Sequence, residues 1–247
     1  MDSIKEIKDY IEKNFSEKRK IHTEGVRTTA IELAKRYGAD PQKAEIAALF
    51  HDMYRGVSEN SLNYYVKHLG LDSKYLNNCN LAHGKIAAII MQRDFEIEDP
   101  DIINAVSYHT TGRPGMSLLE KIIYIADAVE PNRSYPGVEA LRKEAYIDLD
   151  KACLMSLSNT IDFVRSSGKY LDEETIRAKA YLENTIKQKG GKPWPTESTR
   201  CLPERRCPLK KHRISSSSTF RERHHLRTFS SSVPVHPNDR SIHWWMT

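Results

Sequence analysis

A chain of 247 residues with 4 cysteines and a formal net charge of +5 excludes a disulfide scaffold. No apolar stretch approaches the roughly 20 residues of a membrane-spanning helix, which excludes a transmembrane bundle. The average charge hides two parts: residues 188–247 carry 12 Lys+Arg against 4 Asp+Glu, a net +8, while residues 1–187 carry a net −3.

In chain order, nearly every segment of the first part has a helical period. "SIKEIKDYIEKNF" puts Ile4, Ile7, Ile11 and Phe15 on one stripe and has no apolar signal-peptide core, so a cytoplasmic protein is expected. "RKIHTEGVRTTAIELAKRYG" puts His22, Val26, Ala30, Leu33 and Tyr37 on another and stops at Gly38. "ADPQKAEIAALFHD" opens with Asp40 as N-cap and Pro41 in the first turn, and "EDPDIINAVSYHT" repeats the device with Asp99 and Pro100. Between them lie a short polar helix ending at Gly70, with His68 at its C-terminus, and the apolar "NLAHGKIAAIIMQRDF". "TGRPG" is a loop, and "MSLLEKIIYIADAVEP" is a strongly apolar helix that stops at Pro131. Two more helices are predicted, over 139–167 and 172–188. No β-alternation appears, so the fold class is all-α, an irregular bundle of roughly eight to ten helices.

Residues 1–188 form the expected folded domain, and 189–247 a basic Ser/Pro-rich tail. The tail holds 6 of the 11 prolines and 9 serines and cannot bury enough apolar area to offset its ordering entropy, so it is expected to be disordered. It is either a native extension or sequence translated through a frameshift, a missed stop or a vector, and the abrupt change of composition favours the second. Its charge gives weak affinity for any polyanion and is no sign of a specific nucleic-acid partner.

The chemistry sits in polar residues on apolar faces. His51 follows Ala44 and Ala48, His83 precedes Ala87 and Ile90, His109 follows Ile102 and Val106, and Asp127 follows Leu119 and Ile123, all at helical spacing. With His22 on its stripe and Asp52 beside His51, four imidazoles and two carboxylates point inward from five helices. Any one alone is ordinarily a satisfied core histidine or a cap. All six together are not, because buried carboxylates need partners and a common cation supplies one. Imidazole plus carboxylate suits iron, manganese, zinc or cobalt rather than calcium.

The order His22, His51–Asp52, His83, His109, Asp127 resembles the HD-domain superfamily of metal-dependent phosphohydrolases. "AEIAALFHD", "AHGKIAA" and above all "YHTTGRPGMSLLEKIIYIADAVEPNRSYPGV" resemble the bacterial symmetrical diadenosine tetraphosphate hydrolases, the YqeK family, over about residues 5–185. The resemblance implies an HD-domain bundle that splits diadenosine tetraphosphate with water into two ADP. It implies iron, one or two ions, with manganese or cobalt as substitutes, held by His22, His51, Asp52 and Asp127, and a second ion or the phosphate at His83 and His109. It implies substrate contacts from Lys18, the segment after His51 that includes Arg55, His83, His109, Thr110, Asp127, Arg133, and the stretch Tyr170 to Thr175. Arg55 stands where the family often has lysine, and "AKAYL" replaces a more polar pattern near 178–182. A homodimer is among the expected partners; a membrane is not. Two alternatives remain: an HD nucleotidase acting on a mononucleotide or a guanosine alarmone, and a polyanion-binding protein with a degenerate core.

Overall fold

The structure, a computed structural model, describes residues 2–190. Ten α-helices span Asp2–Asn14 (α1), Glu17–Tyr37 (α2), Pro41–Phe50 (α3), Glu59–His68 (α4), Cys79–Asp94 (α5), Pro100–Tyr108 (α6), Leu118–Val129 (α7), Val138–Ala145 (α8), Leu149–Ser166 (α9) and Glu173–Gly190 (α10). A 3-10 turn covers Ser73–Tyr75. Among the described residues there is no strand, and no helix is long and apolar enough to cross a membrane. The all-α expectation is met.

The punctuation read from the sequence works as expected. Asp40 accepts hydrogen bonds from the amides of Gln42 and Lys43, with Pro41 in the first turn of α3. Asp99 does the same for Asp101 and Ile102 at the start of α6. Gly38 ends α2 in the left-handed region at φ 78° and donates its N–H to Ala34 O. His68 closes α4, stacked on Tyr64 at 3.8 Å between ring centroids.

One predicted helix is two. The expected 139–167 element breaks at Tyr146–Asp148, because Asp148 takes an extended backbone and its carboxylate caps Lys151 N, offering the chain a fresh helix start. The Tyr37 hydroxyl donates to Ala145 O at 2.8 Å and so occupies a carbonyl freed at the end of α8. Helix α10 runs two residues past its expected end, to Gly190. The rest of the expected tail lies outside the described residues.

Helix α7 is the axle of the fold. It buries Leu119, Ile122, Ile123, Tyr124, Ile125, Ala126 and Val129, and α2, α3, α6, α8 and α9 all pack on it. Helix α3 approaches through fully buried Ala44, Ala47 and Ala48. This packing brings the C-terminal ends of α3, α6 and α7 together with the first half of α2 and the start of α5.

The loop from α6 to α7 is pinned by Glu120, which is 2% exposed. Its carboxylate closes a capping box with Ser117 and receives a two-pronged pair from Arg113, Nε at 2.7 Å and Nη2 at 2.6 Å. We expect Glu120→Ala to destabilise the chain by about 2 kcal/mol, one cap plus charge-assisted hydrogen bonds discounted for the half-exposed arginine. Urea titration checks this, and a change within experimental error contradicts the pinning role.

Candidate active site

His51 and His109 are the C-caps of α3 and α6, Asp52 follows at once, His83 lies one turn into α5, His22 in the second turn of α2, and Asp127 near the end of α7. Five of them, His22, Asp52, His83, His109 and Asp127, line one cavity of about 740 Å³, whose lining also includes Lys18, Arg19, Arg55, Thr110, Glu130, Asn132 and Arg133, while His51 is fully buried behind His22. That volume falls in the roughly 300–1,000 Å³ range of small-molecule sites.

The proton positions follow from partners. His51 Nδ1 is 2.6 Å from Ala48 O, His83 Nδ1 is 2.7 Å from Cys79 O, and His109 Nδ1 is 2.7 Å from Val106 O. A carbonyl only accepts, so each Nδ1 donates and each Nε2 presents a lone pair. Arg55 Nη1 also lies 3.4 Å from His83 Nδ1, but with Nδ1 already donating, that approach is a contact and not a hydrogen bond. Yet His83 Nε2 and His109 Nε2 are 2.9 Å apart, and His51 Nε2 is 3.3 Å from His22 Nε2. Imidazole nitrogens do not gather this way for their own sake.

Asp52 divides the cluster. Its Oδ2 lies 3.7 Å from His22 Nε2 and 3.8 Å from His51 Nε2; its Oδ1 lies 3.1 Å from His83 Nε2 and 3.9 Å from His109 Nε2. Asp127 Oδ1 joins the first group at 3.1 Å from His22 Nε2 and 4.0 Å from His51 Nε2. Two triads, His22–His51–Asp52 and Asp52–His83–His109, each bring their ligand atoms within 4.8 Å of one another. Imidazole nitrogens and carboxylate oxygens gathered this closely fit a divalent transition metal.

The electrostatics agree. Burial opposes ionisation of both aspartates, but the imidazoles outweigh it. Asp52, led by His51 and His83, and Asp127, led by His22 and Arg133, stay well below the usual carboxylate range. Burial depresses His51, and with help from its neighbouring imidazoles depresses His109 to about 3, so both stay neutral. At His22 burial also opposes charge, but the hydrogen bond and charge of Asp127 prevail and its pKa is raised.

Two guanidiniums cover the carboxylates. Arg19 Nη1 is 2.6 Å from Asp52 Oδ2, and Arg133 reaches both Asp127 O at 2.8 Å and Asp127 Oδ1. Lys18 is exposed at the rim, Arg55 is half-buried, and Thr110 Oγ1 is 3.2 Å from His109 Nε2. Tyr170 is exposed and Thr175 buried, and neither lines this cavity. His22 and Asp127, expected in the core, are half-buried at its edge, facing the cavity. Sequence reasoning missed Glu130 and Gly84, and took Arg19 only as one of the basic run Lys18–Arg19–Lys20, a candidate cationic wall, from which Lys18 was singled out. Arg19 precedes His22 by three residues, the helical spacing that puts it on the same face. At Gly84 a Cβ would stand 2.8 Å from Val106 O and 2.9 Å from the His109 ring, so only glycine lets α6 lie against α5 here.

Comparison with known proteins follows the same lines. The HD domain family model matches residues 19–132. A Bacillus subtilis protein named symmetrical bis(5'-nucleosyl)-tetraphosphatase is 43% identical over 173 residues, 70% of this chain and 93% of the relative. A Staphylococcus aureus protein of the same name is 34% identical over 182 residues, 72% and 94% respectively. A crystal structure from Clostridium acetobutylicum, described as an HD superfamily hydrolase involved in NAD metabolism, superposes with a TM-score of 0.70 at 44% identity. It covers 73% of this chain and 97% of its own.

Because Asp52 serves both triads, Asp52→Ala should strip divalent metal from the protein altogether, whereas His83→Ala should leave the His22–His51 side loaded. Elemental analysis after anaerobic purification checks this. A fully loaded Asp52→Ala protein would show that Asp52 holds no metal.

Proposed function

The chain belongs to the HD-domain family and, within it, to the symmetrical bis(5'-nucleosyl)-tetraphosphatases, and from that premise we propose that it hydrolyses diadenosine tetraphosphate to two ADP. The observation that carries the reading is the pair of His/Asp triads that share Asp52 at the floor of a cationic cavity. An HD domain brings divalent-metal binding; in our reading His22, His51, Asp52 and Asp127 hold the ion, and it is iron, with manganese or cobalt able to replace it. His83 and His109, with the other oxygen of Asp52, hold a second ion or the scissile phosphate itself. A divalent ion in such a site lowers the pKa of water to about 7 and polarises phosphoryl oxygens.

The chain's own residues do the rest. Lys18, Arg19, Arg55 and Arg133 set four positive charges around three carboxylates in the cavity lining, so the site is cationic before any metal enters. A tetraphosphate bridge is the kind of ligand that such a surface concentrates. Arg133 and Arg19 present planar forks suited to phosphate oxygens. Thr110 offers a hydroxyl beside His109. Water attacks the inner phosphorus of one half, the bond from that phosphorus to the central bridging oxygen breaks, and the other half leaves as ADP. The leaving diphosphate is stable as an anion, so no strong general acid is needed. The stretch Tyr170 to Thr175 belongs to this proposal as a base-side contact of the held half, outside the metal cavity.

A second reading, an HD hydrolase of another nucleotide, has one observation in its favour, the NAD-metabolism description of the Clostridium acetobutylicum relative. One experiment separates the two. In oxygen-18 water, diadenosine tetraphosphate should give ADP alone, with label on the terminal phosphate of one ADP per turnover. ATP plus AMP would sink the symmetrical assignment, and turnover of a mononucleotide with the tetraphosphate untouched would favour the second reading. Arg133→Ala should raise KM for the tetraphosphate by about 1.5–3 kcal/mol of lost charge-assisted hydrogen bonding.

A further inference from the structure

Three of the four cavity imidazoles give their Nδ1 protons to a carbonyl of their own helix. His22 does not: its Nδ1 lies 3.2 Å from Oε1 of Glu130, a carboxylate from the far end of α7 that is 2% exposed. The two oxygens of Glu130 have different partners. Oε2 accepts from Asn132 N at 2.6 Å and Asn132 Nδ2 at 3.1 Å, which fixes the carboxylate plane and leaves Oε1 aimed at the imidazole.

The carboxylate lies where a helix side chain should be. Gly25 is one turn along α2 from His22, and a Cβ there would stand 2.4 Å from Glu130 Oε2 and 3.2 Å from Glu130 Cδ. No real pair of atoms tolerates the first distance. Glycine in mid-helix costs about 1 kcal/mol against alanine, so its presence calls for a reason. Gly25 has an ordinary helical backbone and needs no unusual φ; what it provides is an empty slot in the wall of α2.

The backbone that carries Glu130 is held in turn. Arg142 from α8 donates to Val129 O at 2.8 Å, Glu130 O at 3.0 Å and Arg133 O at 3.2 Å. This one side chain closes the end of α7 and the turn from which Glu130, Asn132 and Arg133 project.

We propose that Glu130 is the positioning residue for His22, seated through the slot left by Gly25, and that it sets this imidazole as a cation ligand. The inference rests on the metal reading above. His22 is the half-buried ring of the four, so packing alone does not lock it as burial locks His51, His83 and His109. The hydrogen bond from Nδ1–H to a carboxylate fixes the ring angle and the tautomer and makes Nε2 a stronger electron donor. A carboxylate behind a ligating histidine typically contributes 10–100-fold in metal affinity.

The test is a double-mutant cycle in the full chain, read as iron(II) and manganese(II) dissociation constants by chelator competition under anaerobic conditions. Glu130→Ala and Gly25→Ala should each weaken binding about 10–100-fold. The double variant Gly25→Ala/Glu130→Ala should be no weaker than Glu130→Ala alone, because with the carboxylate gone the alanine methyl meets only Asn132 Nδ2, at 3.3 Å and at the end of a side chain that Glu130 no longer holds. Additive losses overturn the slot. Glu130→Gln keeps the volume and guards against a folding failure of the alanine variant; it should still bind about 10-fold more weakly, and wild-type affinity in it overturns the role of the carboxylate. A second readout needs no metal. In long-range proton–nitrogen-15 spectra of the metal-free protein, at a pH where the ring is neutral, Glu130→Gln or Glu130→Ala should shift His22 from the Nδ1–H tautomer toward the Nε2–H form, for which Asp127 Oδ1 stands 3.1 Å away as acceptor. An unchanged tautomer in both variants overturns the proposal. A wild-type protein that binds neither ion sinks the metal reading itself, whereas a metal-binding wild type with unaffected variants sinks only this inference.

Discussion

Acceptors facing acceptors are the constraint on which the rest of the structure depends. Three buried imidazoles have given their Nδ1 protons to Ala48, Cys79 and Val106, so their Nε2 lone pairs can only accept, and two carboxylates stand among them. Water would solvate each of these groups more cheaply than the protein does. The fold must therefore hold mutually repelling groups in place, and it does so with the most buried helix, α7, behind them. Arg19 and Arg133 pair with Asp52 and Asp127, where an unpaired buried carboxylate would be strongly destabilising.

Helix ends make the geometry reachable. His51 and His109 cap α3 and α6, where the last carbonyls lack helical partners, and each ring takes the carbonyl three residues back as its acceptor. One interaction thus satisfies a carbonyl at the helix end and orients a ligand. The small residues serve the same purpose at the backbone level. Ala44, Ala47 and Ala48 let α3 lie close to its neighbours, and Gly84 lets the His109 ring rest on α5.

Much of this was legible in the sequence. Asp40–Pro41 and Asp99–Pro100 marked two helix starts because a capping carboxylate followed by proline has few other uses, and helical phase put His51, Asp52, His83 and His109 on inward faces. Phase alone failed where a side chain chose its partner from another element. The break at Asp148 was missed because the apolar period runs straight through Tyr146–Asp148 and a cap inside a periodic run has no hydrophobic signature. Arg19 was read only as part of the basic run Lys18–Arg19–Lys20, and Lys18, the exposed one of the three, was singled out instead. Glu130 was missed because its partners, His22 in sequence far upstream and the slot at Gly25, become neighbours only when α7 packs on α2.

The arginines link metal and substrate in one charge balance. Asp52 and Asp127 are the partners of Arg19 and Arg133, and in the proposed function the same carboxylates hold the cation. Under the proposed function, a divalent ion on these carboxylates would weaken the hold on both guanidiniums and add two positive charges to a cavity whose lining already carries an excess of one. Both guanidiniums would then stand in the cavity wall open to an anion. A phosphate chain meets that need along its length, since each phosphate offers oxygens to a fork. A neutral or singly charged ligand would leave at least one arginine unpaired. Under the proposed function, the placement of the two arginines would favour a polyphosphate over a monophosphate.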